Sequence, residues 1–407
     1  MSVLVWLALA LALMISLSAL RLNVGYCILA GLLLFGALVL GPGELARCLC
    51  SSLLDLDLWD AVASVALIAI LGSLMRELGQ VDDIASGLRS LGLKGRNFIA
   101  VGSTTFGLLP LPGGAILSAS LVEEEGRSEG MDARGPATAN LLFRHFNFFA
   151  YPLSPVLIVL ASPKVLNVDL YVLIAALAPA AVAHLIASYV ASFFRLKQEG
   201  SARTPHARNT ARDPREGLAR LGRGLAPVLV APVLNAVGLG LTLSVCGSIA
   251  ASILLAHGQA REAPRKMWVA LKKSRAHNLA FPVLFAMLFR DVFKASEASE
   301  ALREGLSFVP LPETLALMLL CFSLGIATGS GMLSIAVLPS GMRLSEVLPV
   351  YTGAVVGYII SPLHLCFIVS AEYFGLRQAE MYPRLLAYAA LTLGMALASA
   401  WVLLPFL

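Results

Sequence analysis

Runs of about 20 mainly apolar residues recur along this chain, and that is the length an α-helix needs to cross the roughly 30 Å hydrocarbon layer of a bilayer. They are readable at about 2–20, 23–40, 57–75, 137–162, 168–194, 223–240, 242–257, 276–290, 348–371 and 384–405. Ten crossings are predicted. The composition excludes a water-soluble globule: 58% of the 407 residues are hydrophobic and 14% charged, where a soluble domain carries about a quarter charged residues. The expected fold class is an all-α polytopic membrane protein, and its function is one exercised in or across a membrane.

Met1 to Leu20 has no Lys or Arg ahead of its apolar run and passes at once into a second hydrophobic segment, so it reads as a helix rather than a cleaved leader. The six cysteines show no CxxC pair and no Cys/His spacing that would hold a metal. No disulfide or metal framework is expected. With the N-terminus outside, most Lys and Arg fall in the inner segments, which predicts both termini outside the plasma membrane. The basic stretch Arg195 to Arg223 reads as a polar cytoplasmic connector between two halves, 1–195 and 223–407, with the linker over 196–222.

The halves carry the same landmarks in the same order. Arg76-Glu77 is followed by Leu88-Arg89, and Arg290-Asp291 by Leu302-Arg303, both pairs at an offset of 214. A broken apolar stretch comes next in each half, about 97–121 with Pro110-Leu-Pro-Gly-Gly114 and about 308–340 with Thr328-Gly-Ser-Gly331. A helix with Ser-Pro near its middle then follows, Ser154-Pro155 and Ser361-Pro362. Five crossings per half is an odd number, so the second half is inserted upside down. The expectation is an inverted-topology repeat, a recurring architecture of secondary transporters.

Irregular backbone at membrane depth survives only where it is buried in protein or lines a wet cavity. The broken stretches are therefore predicted to be re-entrant hairpins, one entering from each side. At their tips, glycines let a ligand approach closely, and Ser and Thr supply oxygens. Half-helices that begin there favour an anion. Pro155 and Pro362 are expected to free carbonyls near Tyr151 and Tyr358, which with Ser154 and Ser361 would make a hard oxygen environment suited to Na⁺ as a coupling ion.

Asn140, Arg144, His145 and Asn147 stand out because polar and charged groups are costly at membrane depth. Asn140, Arg144 and Asn147 share one helix face. Arg144 either meets a carboxylate substrate or snorkels to the headgroups, and the sequence leaves both open. His145 is a candidate for a coupled proton or a helix contact; His184 and His364 are read as helix contacts. No Asp or Glu lies deep inside a predicted span, which disfavours an Asp-based cation/proton exchanger.

Pro110-Leu-Pro-Gly-Gly-Ala-Ile-Leu-Ser-Ala-Ser-Leu-Val122, with Asn140-Leu-Leu-Phe-Arg144-His145 and Pro152-Leu-Ser-Pro155, resembles the prokaryotic membrane family numbered 401 among the domains of unknown function, grouped with the ion transporter superfamily. The resemblance is concentrated in 97–160. It implies a fold like that of the divalent-anion/sodium symporters, with dimerisation through a scaffold and an elevator motion. It also implies a substrate and ion site at Gly113, Gly114, Ser118, Ser154, Thr328, Ser330, Gly331 and Ser361. The sodium/dicarboxylate members carry Ser-Asn-Thr at both hairpins; this chain does not.

The expectation is an ion-coupled symporter of a small organic anion, with Na⁺ or H⁺ as partner ion and neither a catalytic nor a nucleic-acid role. Substrate would be held by Gly113, Gly114, Ser118, Asn140, Arg144, Asn147, Thr328, Ser330 and Gly331, and the coupling ion by Ser154, Ser361, Tyr151, Tyr358 and His145. The alternatives are an exporter or cation/proton antiporter and, from other classes, a passive channel or an intramembrane enzyme. The chain lacks Gly-x-Ser-Gly, Gly-x-Gly-Asp and His-Glu-x-x-His motifs.

Overall fold

The computed structural model describes residues 3–109, 114–194, 214–256, 260–339 and 342–403, and among these the regular structure is entirely helical. The first half runs α1 (Val3–Ala19), α2 (Val24–Val39), α3 (Pro42–Leu53), α4 (Leu56–Glu77), α5 (Gln80–Ser90), α6 (Gly95–Gly107), α7 (Gly114–Ser128), α8 (Arg134–Arg144), α9 (Asn147–Ala150), α10 (Pro155–Ala161) and α11 (Leu170–Phe193). The second runs α12 (Pro214–Ala236), α13 (Leu241–Leu254), α14 (Ala263–Lys273), α15 (His277–Ala295), α16 (Ala298–Ser307), α17 (Glu313–Thr328), α18 (Gly331–Ala336), α19 (Leu344–Ile360), α20 (Leu365–Tyr373) and α21 (Gln378–Leu403).

Five segments are long and apolar enough to cross a bilayer: Leu56–Glu77, Leu170–Phe193, Arg215–Ala236, Leu344–Tyr373 and Gln378–Ala400. The pair α14 and α15 makes a sixth if its 55° bend lies within one span, and α1, α2, α13 and α17 are shorter apolar helices. On α11 and α12 the outward side chains are Val172, Val182, Ile186, Leu229 and Val233, all exposed. Such a surface suits hydrocarbon rather than water.

The expected crossing at 137–162 is not one helix. It falls into α8, α9 and α10, because a turn at His145-Phe146 and the prolines at 152 and 155 each interrupt the ladder. The connector is also shorter than 196–222: α12 begins at Pro214, a residue suited to a first helical turn, and packs on α5. Gly87, Gly217 and Gly224 let these two backbones approach, since a Cβ at Gly87 would lie 2.7 Å from the Leu221 nitrogen.

The two stretches read as hairpins have different limbs. The first folds α6 back on α7 over 95–128, its turn at 110–113 lying outside the described residues. The second folds α17 back on α18, but the return limb is only the six residues Gly331–Ala336. The landmarks also shift register. A left-handed residue, Gly79 in one half and Glu297 in the other, separates α4 from α5 and α15 from α16. Set on these, Arg290 lies about one turn deeper in its helix than Arg76 does.

The halves interlock. α2 packs on α15, α4 on α13 and α11 on α21. α20 packs on α7, and α10 on α18, so each half's helix beyond its break rests on the other half's hairpin. His184 on α11 clamps three elements: its Nε2–H donates to the Leu142 carbonyl (3.0 Å) and its Nδ1 accepts from the Tyr388 hydroxyl (2.7 Å).

Lys164, in the loop after α10, closes another seam between the halves. Its ammonium bonds Asp291 (2.6 Å) and Asp55 (2.9 Å), while Arg290 Nε donates to its carbonyl (3.3 Å). The hydrogen bond from Lys164 holds the Asp55 carboxyl below its ordinary range. Burial opposes the charge on Lys164, but the two carboxylates outweigh it and raise its pKa. The Asp55 contribution is therefore present above its unfolded value, about 3.9, and lost as pH falls through its folded one. The Lys164 contribution is present below about 10.4 and lost as pH rises through its folded value. Lys164→Met is expected to destabilise the protein by about 2 kcal/mol, allowing for the partial exposure of both carboxylates. Thermal unfolding in detergent should show the loss at pH 7 and a shallower decline into acid than the parent's; unchanged curves would refute it.

Candidate functional site

Two adjoining hollows, about 500 and 670 Å³, share Gly107, Asn147, Phe148, Asn278, Tyr358 and Cys366, and so form one bilobed cavity. The first lobe is bounded by Gly114 and Ala115 at the start of the first hairpin's return limb. The second is bounded by Gly329, Ser330 and Gly331 at the second tip. Both helix interruptions reach it as well, through Tyr151 and Leu153 on one side and Leu363 and His364 on the other.

The interruptions have the same shape. Tyr151-Pro-Leu-Ser154 and Ser361-Pro-Leu-His364 are each a four-residue non-helical turn, so Pro152 matches Pro362 and Ser154 matches His364. Matching the Ser-Pro pairs by sequence misplaces them by three residues. The expected free carbonyls are also absent: the Tyr151 carbonyl accepts from the Ser154 N–H (2.9 Å) and the Tyr358 carbonyl from the Ser361 N–H (3.2 Å). Each turn satisfies its own backbone, as an apolar surrounding demands.

Close backbone contacts hold each hairpin stretch against a neighbouring helix end or turn. Gly107 lies so close to the Arg144 backbone that no Cβ could fit. Gly329, left-handed at φ 62°, sits where a Cβ would come 2.9 Å from Leu363 Cβ and 3.3 Å from the His364 nitrogen. The Ser361 hydroxyl donates to the Ile326 carbonyl (2.6 Å) and accepts from the Leu363 N–H (3.2 Å). Thr328 Oγ1 donates to the Leu324 carbonyl (2.7 Å), and Ser330 caps α18 by accepting from Leu333 N–H (3.4 Å). Ser361, Thr328 and Ser330 thus spend their hydroxyls on holding the fold.

The polar cluster on the other wall is built around Arg144, the last residue of α8. Its Nη1 donates to Ser118 Oγ (2.9 Å) on α7, and Ser118 donates to Asn140 Oδ1 (2.6 Å). Asn140 in turn donates to the Ala115 carbonyl (3.2 Å) and Ser370 Oγ (3.1 Å). The guanidinium is thereby aimed at the hairpin, not at a membrane surface. It forms no ion pair with any described carboxylate, and its Nε is buried without a hydrogen-bond partner. Asn147 Oδ1 is likewise buried and unpartnered, as is Ser154 Oγ. Among the described residues lining the cavity, the charged ones are Arg21, Arg144 and Arg275, with no Asp or Glu.

The structure thus brings Gly114, Ser118, Asn140, Arg144, Asn147, Ser330, Gly331, Tyr151, Tyr358 and His145 to the cavity or into direct contact with its lining. Ser361 and Thr328 stand behind the second tip, Ser154 precedes α10 with its hydroxyl unpartnered, and Gly113 lies outside the described residues. Sequence reasoning missed His364, Cys366 and Tyr358's role as their neighbour. His145 Nε2 is 3.2 Å from His364 Nε2, and the Tyr358 ring stacks on His364 with centroids 4.1 Å apart. The available signal was the recurrent Pro-Leu of the two breaks, which puts His364 where the other half has Ser154.

The chain belongs to the family described as "Protein of unknown function (DUF401)", whose model matches residues 1–404. No curated protein matches it. Gly107→Ala is expected to force α6 off α8 and cost about 2 kcal/mol, whereas Gly102→Ala, with nothing within 4 Å of its new Cβ, should be nearly neutral. Thermal unfolding of the two variants in detergent checks this; equal melting curves would refute the contact.

Proposed function

We propose that this member of the family is a secondary active transporter of a small organic anion such as a carboxylate, driven by Na⁺ or H⁺. The observation that carries the reading is the charge of the cavity: among its described lining residues there are three arginines and no carboxylate, and the guanidinium in the wall of the first lobe has an unpaired Nε. A half-buried cation lacking a counter-charge is costly unless an anion completes it, and an Arg fork suits a carboxylate in two-point contact. The start of α7 at Gly114 adds the positive end of a helix to the same wall.

The architecture is read as two inverted-topology repeats, 1–195 and 223–407, crossing a cell membrane about ten times with both termini outside. Support comes from the recurrent order of helix, hairpin and broken helix, and from the exchange in which α10 rests on α18 and α20 on α7. Irregular chain at membrane depth is tolerated where it lines such a cavity. Arg21 and Arg275, both exposed and left-handed, stand at the mouth, and charge asymmetry assigns that side to the cytoplasm. The cavity is then open inward. Likeness to the divalent-anion/sodium symporters, a homodimer and an elevator motion belong to the same proposal. The coupling ion is read near Ser154, whose buried hydroxyl has no partner, rather than at freed carbonyls.

Purified protein in proteoliposomes should accumulate at least one labelled carboxylate from a broad panel when an inward Na⁺ or H⁺ gradient is imposed. Arg144→Gln should lower that uptake by roughly 100-fold, on the order of the 3 kcal/mol carried by a charge-assisted bond in a dry site, with Arg144→Lys restoring part of it. No gradient-dependent uptake across the panel, or full uptake by Arg144→Gln, would overturn the proposal.

A further inference from the structure

His145, His364 and Cys366 come from two distant parts of the chain and meet where the two lobes join. Their ligand atoms all lie within 4.8 Å of one another. Both histidines are buried and Cys366 is partly so.

The hydrogen bonds of the pair do not balance for two neutral rings. His145 Nδ1 faces the Leu141 carbonyl at 2.6 Å and His364 Nδ1 faces the Ile359 carbonyl at 3.2 Å. A carbonyl only accepts, so each contact needs an N–H on that nitrogen. The two Nε2 atoms then face each other at 3.2 Å with a lone pair on each. Three contacts need three positive hydrogens or their equivalent, and two neutral imidazoles supply two. The close Nε2–Nε2 contact therefore calls for a bridging proton or metal ion.

We propose that this cation is a borderline transition-metal ion of the Zn²⁺ class, bound by His145 Nε2, His364 Nε2 and Cys366 Sγ. Metal–nitrogen bonds of about 2.0–2.1 Å at a tetrahedral angle put two nitrogens about 3.3 Å apart, close to the separation found. The carbonyl bonds at both Nδ1 atoms are the outer contacts that orient metal-binding imidazoles. Two imidazoles and a thiolate form a donor set for Zn²⁺ or copper rather than for Na⁺ or Mg²⁺. Binding displaces the Cys366 thiol proton to solvent and forms the metal–sulfur bond, with no change of oxidation state. The fourth position opens on the cavity, where a water or an oxygen of the solute completes the tetrahedron.

The inference concerns the same cavity as the proposed transport but does not depend on it, because its test is metal binding to the purified chain. Full-length protein in detergent is stripped with a chelator and titrated with Co²⁺. One equivalent is expected to give tetrahedral d–d absorption and a thiolate-to-cobalt band, both abolished by one equivalent of Zn²⁺. Cys366→Ser should lose the thiolate band and weaken Zn²⁺ binding by about 10–100-fold against a chromophoric chelator. X-ray absorption of the zinc-loaded parent protein, which needs no variant, should show one sulfur and two imidazole nitrogens. No stoichiometric Co²⁺ spectrum, or a zinc shell without sulfur, would overturn the assignment and leave a shared proton between the rings.

Discussion

Backbone that leaves a helix inside an apolar layer must find partners for its N–H and C=O groups on the spot, and this chain leaves its helices at four places around one cavity. Two solutions recur. The breaks at 151–154 and 361–364 close on themselves as tight turns, each with a proline that supplies no N–H to satisfy. The second hairpin tip comes to rest against backbone through Gly329 on Leu363 and His364, and the end of α6 does so through Gly107 on Arg144. The side chains that face the cavity have their positions because these contacts hold the surrounding chain.

Charge at the site follows from the same arrangement. Arg144 ends α8, so the carbonyl end of that helix, with its partial negative charge, offsets part of the guanidinium. Ser118 and Asn140 pin one nitrogen and leave Nε buried without a partner. A chain of neutral hydrogen bonds orients a cation without neutralising it. That is a different use of burial from the Lys164 seam, where two carboxylates consume the charge entirely.

Much of this is visible in the sequence. The long apolar runs at 57–75, 168–194 and 384–405 correspond to α4, α11 and α21, because a periodic stretch near 20 residues has few other outcomes. The interruptions are also visible, since Pro and Gly act locally. Register is not: Ser-Pro occurs twice by coincidence, while the turns that match are Pro152 and Pro362, and only the hydrogen bonds of Ser154 and Ser361 distinguish the two readings. The pairing of His145 with His364 is invisible to spacing rules, because 219 residues separate them and their meeting depends on how the halves interlock. Tyr358 is similar, its ring stacked on a residue six positions on, across a break.

The glycine contacts also bear on how the molecule can deform. Gly329 leaves no gap between the second tip and the Leu363–His364 turn, and Gly107 leaves none between the first hairpin and the end of α8. Neither loop can swing without dragging its partner helix, as a tenon cannot turn alone in its mortise. The second tip therefore travels with its break, and the end of α6 with the end of α8. A relative motion of the parts would have to be taken up elsewhere, at joints between helices such as those at Gly79, Glu297 and Arg275.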